Sequence, residues 1–166
     1  MIRIYLGLGS NLRPTDNLRR CVAELRQRFN FKQFSSVYMS AAIGFQGEDF
    51  LNAVVAVETD RCIEEVTQEL ELIHKLCGRE RGTNAFMSRT LDIDLLLYGN
   101  DIIETYGVPR SDILEYSFVL CPLAEIAPEM RHPATGQSFA KHWEEFDKAV
   151  HPLKKLHINL FGVTNL

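Results

Sequence analysis

The 166-residue sequence predicts an α+β fold, an open sheet with helices packed on it. Three observations lead there. Short apolar stretches bounded by turn formers occupy 2–8, 31–43, 50–59 and the region around 91–98. Two intervening stretches carry apolar residues at helical spacing. Read in order, the segments run strand, helix, strand, strand, helix, strand.

Each element has its own justification. Ile2 to Leu8 is apolar and stops at Gly9-Ser10-Asn11, a cluster of turn formers expected to make a tight turn. From Pro14, a residue suited to a first helical turn, Leu18, Cys21, Val22, Leu25 and Phe29 recur on one face of a helix. Residues 31–43 read as one strand and Phe50 to Thr59 as the next, with Gly44 and Gly47 between them. Ile63, Val66, Leu70, Ile73 and Cys77 form the stripe of a second helix over 61–77, which Gly78 ends. The strand after the loop 78–88 completes β-α-β-β-α-β, the order of a ferredoxin-like sheet with both helices on one face. Further helices are expected near 116–127 and 137–149. The whole chain, 1–166, reads as one domain, and 150–166 as a C-terminal extension, either an added strand or an interface arm.

Hydrophobic residues at 46% and charged residues at 24% are ordinary for a globular protein and argue against a disordered or fibrous chain. A net charge of −4 offers no general basic field for nucleic acid, so none is expected as a partner. No apolar run reaches the roughly 18 residues of a membrane span, and the expected location is the cytoplasm. The four cysteines form no CxxC pair and read as small core residues; His132, His142, His151 and His157 show no metal-ligand spacing and read as surface residues.

The chemistry concentrates in "SRTLDIDLLLYG", residues 88–99. Strand alternation puts Asp92 and Asp94 on one face, with carboxylates roughly 7 Å apart or less. Two negative charges that close repel unless a cation lies between them, and Mg²⁺ takes carboxylate, phosphate and water oxygens. Alone, the pair also fits a solvated strand face beside Arg89 and Thr90. The preceding loop "GRERGTNAFMSR", 78–89, holds Arg79, Arg81 and Arg89, whose guanidinium groups match phosphate oxygens bidentately, so the two halves describe one polyphosphate site. No GxxxxGK[ST] is present, so this is not a Walker A protein.

"LGLGSNL" (6–12), "IGFQGEDFLNAVVAVET" (43–59), "GRERG" (78–82), "RTLDIDLLLYG" (89–99) and "FVLCPLAEIAPE" (118–129) together resemble the 6-hydroxymethyl-7,8-dihydropterin pyrophosphokinase family of folate biosynthesis. The resemblance implies that the pterin hydroxymethyl oxygen attacks the β-phosphorus of ATP and that AMP leaves. Asp92 and Asp94 would hold two Mg²⁺ ions, with Arg79 and Arg89 also catalytic. Arg79, Arg81, Arg89, Leu95, Arg110 and Tyr116 would contact ATP; Ser40, Ile43, Gly44, Phe50, Asn52 and Phe118 would contact the pterin, with the Phe50 and Phe118 rings sandwiching it. The loop 78–88 is expected to close on bound nucleotide. The partners implied are small molecules, with the protein a monomer or weak homodimer.

The sequence departs from the family pattern on the nucleotide side. His74 stands where Glu is usual, Gly107 for Thr or Ser, Arg110 for His and Tyr116 for Arg. Ala41 and Ala42 replace two prolines, Ala85 a basic residue and Phe86 a Trp. These departures keep open an alternative, a pterin-binding paralogue with weak or altered nucleotide use.

Overall fold

A computed structural model describes residues 1–43, 46–78 and 91–160. Strand β1 (Ile2–Ser10) lies between β4 (Phe50–Thr59) and β5 (Asp92–Tyr98), antiparallel to both. The sheet runs β5-β1-β4-β3-β6, where β3 is Val37–Ser40 and β6 is Lys154–Leu156; β2 (Asn30–Phe34) also pairs with β4. Helices α1 (Pro14–Arg28) and α2 (Ile63–Leu76) cover one face, matching the expected ferredoxin-like arrangement.

Alternation along β1 explains the two cores. Ile4, Leu6 and Leu8 face α1 and α2, where they meet Leu18, Leu25, Val66 and Ile73. Tyr5 faces the other way, into a second core with Val54, Ala56 and the C-terminal helices α3 (Asp112–Glu115), α4 (Ser117–Ile126) and α5 (Phe139–Glu145). A strand covered on both faces needs apolar side chains on both, and the uninterrupted run Ala53 to Val57 in β4 is fully buried.

Four expectations change. The strand expected over 31–43 is two strands, because Ser35 Oγ takes the Val54 N–H at 2.8 Å while Ser36 N and Oγ turn to Glu125 of α4 at 3.0 and 2.7 Å. Serine hydroxyls compete with the ladder here and break it. The turn expected at Gly9-Ser10-Asn11 begins only at Asn11, since Gly9 pairs with Asn52 and Asp92, and Ser10 with Leu51. Two ladders override the turn preference of these residues. Cys62 is exposed rather than in the core, because it caps α2, its N–H donating to Glu65 Oε1 at 3.1 Å. His132 is 5% exposed rather than superficial, and its Nδ1 accepts from Ala134 N and Thr135 N. Of the two readings of the tail, residues 154–156 take the added strand, pairing with β3.

Candidate active site

A cleft of about 530 Å³ opens over the ends of β1, β4 and β5 and under α3 and α4. Its floor is built by the Leu6-Gly7-Leu8-Gly9 alternation, which sends the leucines into the first core and leaves Gly7 and Gly9 to the cleft. At Gly9 a Cβ would lie 3.5 Å from Asn52 Oδ1 and 4.0 Å from Phe50 Cδ1, inside the space a ligand needs. Asp92 and Asp94 pair with Gly9 and Gly7 respectively, and both line the cleft, on the same strand face as the alternation requires. Ile93 between them points into the first core, and its N–H donates to Nε2 of the buried His74 at 2.9 Å. His74 thus satisfies an amide of the edge strand that carries both carboxylates.

A β-bulge then interrupts the pairing of β5 with β1 beyond Asp94. Leu6 pairs with Leu95 and Tyr5 with Leu97, so Leu96 is the extra residue. Its carbonyl accepts from Arg110 N at 3.0 Å. That bond brings Arg110 beside the carboxylates: Nε lies 3.0 Å from Asp112 Oδ2 and an Nη 3.6 Å from Asp94 Oδ1. Burial works against the charge on Arg110, but Asp94, Asp112 and Asp92 outweigh it and raise its pKa above the ordinary value. Leu95, in contrast, packs against the first core and does not line the cleft.

The opposite wall carries Ser40, Ile43, Phe50, Asn52 and Phe118. Asn52 is 5% exposed, and its Nδ2 donates to Tyr38 O at 3.1 Å and Ser40 Oγ at 2.9 Å. A backbone carbonyl only accepts, so this contact orients the amide, and Oδ1 is what it offers a ligand. Tyr116 also lines the cleft and stacks on Phe118 with centroids 4.9 Å apart and planes 22° apart. Its ring thereby extends the aromatic wall of the cleft.

Gly44, Arg79, Arg81 and Arg89, with the loop expected to close on nucleotide, lie outside the described residues. Among the described residues no group of three or more His, Cys, Asp and Glu is placed to hold a metal ion. Asp92 and Asp94 nevertheless suit a hard cation, since both present carboxylate oxygens to one cleft that is large enough for phosphate and water to complete the shell. Among the lining residues that sequence reasoning missed are Gly7, Gly9 and Asp112. Gly7 and Gly9 carry a signal, glycine at every second position of a strand; Asp112 carries none beyond being acidic two residues after Arg110.

Residues 5–128 match the family model described as 7,8-dihydro-6-hydroxymethylpterin-pyrophosphokinase (HPPK). A 2-amino-4-hydroxy-6-hydroxymethyldihydropteridine pyrophosphokinase of Haemophilus influenzae is 38% identical over 139 residues, covering 80% of this chain and 86% of that protein. One from Synechocystis is 35% identical over 147 residues, 86% of this chain and 75% of that protein. The folic acid synthesis protein fol1 of Pneumocystis carinii is 34% identical over 86% of this chain, which spans 20% of its length. The fold resembles a crystal structure of HPPK-DHPS in complex with substrates, with TM-score 0.70 and 11% identity, over 89% of this chain and 44% of that one. No helix among the described residues is long and apolar enough to cross a membrane. With three quarters of its length in the family match and relatives above 30% identity, the chain belongs to the 7,8-dihydro-6-hydroxymethylpterin-pyrophosphokinase family.

Proposed function

We propose that this protein transfers the pyrophosphoryl group of ATP to the hydroxymethyl oxygen of 6-hydroxymethyl-7,8-dihydropterin and releases AMP, in folate biosynthesis. The observation that carries the reading is the convergence of Asn52, Phe50 and Phe118 with Asp92 and Asp94 on one glycine-floored cleft. A flat heterocycle between aromatic walls, its polar edge on the Asn52 acceptor, would place a substituent over the strand that bears the carboxylates.

In the reaction the hydroxymethyl oxygen attacks the β-phosphorus and its bond to the α,β-bridging oxygen breaks. The hydroxyl proton passes to solvent, the bridging oxygen leaves on AMP, and the β- and γ-phosphoryl groups stay on the pterin oxygen. No protein nucleophile is needed. Asp92 and Asp94 would hold Mg²⁺, two ions in this reading, and a bound Mg²⁺ offsets phosphate charge and orients the oxygens. Arg110 is held at the same place by Asp112 and the Leu96 carbonyl, where its guanidinium can meet phosphate oxygens. Arg79, Arg81 and Arg89 belong to the proposal on the family resemblance, and Leu95 on the same ground as an ATP contact.

A second reading, a pterin-binding protein with weak or altered nucleotide use, is favoured by one observation: the Tyr116 ring stands on Phe118 where the family usually has a phosphate-binding cation. An AMP-release assay on the purified protein separates the two. AMP formation that requires ATP, reduced pterin and Mg²⁺ together is the expected result. Pterin binding without AMP selects the second reading, and neither binding nor turnover refutes both.

A further inference from the structure

We infer that His151, beyond residues 5–128 that the family model matches, is a positioning residue for the aromatic wall of the cleft, acting on Phe118 and Tyr116 at the start of α4. The inference rests on the reading of that cleft as the pterin site.

The tail is tied down after His151. After it, β6 pairs with β3, Lys154 opposite Met39 and Leu156 opposite Val37, on the strand that also carries Ser40. Further on, Arg19 Nε donates to Asn159 O at 2.9 Å and Leu160 is 1% exposed. Before it, nothing of that kind is needed, because His151 is itself the anchor: its carbonyl accepts from Ser117 Oγ at 2.5 Å, and Ser117 is the buried first residue of α4. The imidazole lies 5.9 Å from the Tyr116 ring, and 6.4 Å from the Phe118 ring at 66°, an edge contact. So the backbone of residue 151 grips the residue between Tyr116 and Phe118, and its ring touches both.

The backbone at this point is unusual. His151 has φ 57°, the left-handed region that favours glycine. A tail that merely needed to turn would be served better by glycine there. Keeping a ring at such a position makes sense if the ring has a task, and its contacts are with two residues that line the cleft. By limiting rotation of the stacked pair it would hold the Phe118 face ready for a flat ligand, which lowers the ordering cost of binding.

The test uses two variants of the full chain that separate ring from backbone. His151→Gly deletes the ring, keeps the carbonyl that Ser117 needs and relaxes the backbone; His151→Phe keeps a ring and retains the strain. Titration with reduced pterin, followed by its fluorescence, should show His151→Gly binding about three- to tenfold more weakly, the cost of ordering one side chain at the moment of binding. Its melting temperature should be unchanged or higher, and affinity for an ATP analogue unchanged. His151→Phe should bind pterin as the wild type does, at an equal or lower melting temperature. A His151→Gly protein that binds pterin within about twofold of wild type overturns the inference while leaving the cleft reading intact. A folded wild type that binds no pterin overturns the cleft reading and this inference with it.

Discussion

Replacing Asn52 by alanine tests the cleft at its most buried polar group. The amide is 5% exposed and donates to Tyr38 O and Ser40 Oγ at 3.1 and 2.9 Å, which leaves Oδ1 facing the cleft within 3.5 Å of the position a Cβ on Gly9 would take. Two neutral hydrogen bonds at a net ~1 kcal/mol each imply a stability loss of about 2 kcal/mol, read as a lower urea midpoint with unchanged slope. A ligand donor that loses its buried acceptor costs about 1–3 kcal/mol, so pterin should bind about 5- to 150-fold more weakly. The ATP analogue, which the proposed reading places on the Asp92 and Asp94 side of the cleft, should change by less than about twofold. Asn52→Asp is the control for orientation: it keeps an acceptor but sets a carboxylate against the Tyr38 carbonyl, and should lose more stability than the alanine at neutral pH. Calorimetric titration of both ligands against both variants decides the matter. Pterin affinity unchanged in a destabilised Asn52→Ala protein would refute the assignment and leave the amide as a brace between β3 and β4.

Asp92→Ala and Asp94→Ala should each abolish AMP release while the urea midpoint stays near wild type, because both side chains are only partly buried; wild-type turnover at saturating Mg²⁺ would exclude the carboxylates from the reaction. His74→Leu should cost about 1–3 kcal/mol, since the Ile93 N–H loses its acceptor inside the fold, and the loss should appear as faster amide exchange along β5; unchanged exchange would show that His74 does not hold that strand. Burial, with a smaller contribution from His142, lowers the pKa of His132 below its ordinary value. A histidine depressed in the folded state takes up its proton first in the unfolded chain, so its share of stability is present above about pH 6.5 and declines on acidification. Urea midpoints at pH 7.5 and 5.5 should therefore differ less in His132→Asn than in wild type, and an equal difference would rule His132 out as a source of acid sensitivity.

Periodicity alone determined most of the architecture. Helical spacing from Leu18 to Leu25 and from Val66 to Ile73 became α1 and α2, and the order of segments became the sheet. Period two was equally informative for the site, as it put Asp92 with Asp94 on one face before any neighbour was known. Such readings succeed because the direction of a side chain along one element depends only on that element's own backbone. What required the tertiary structure were the features in which two distant segments compete for one group. Ser35 splits a strand by taking an amide from β4, and the Leu96 bulge admits Arg110 from a loop 14 residues later to a place beside Asp94. Tyr116 reads in sequence as an ATP contact that departs from the family pattern, and becomes part of an aromatic wall only through its stack on Phe118 and the return of His151 from the tail. Hydrogen bonds and ring contacts between residues far apart in the chain are decided by packing, and packing has no period to read.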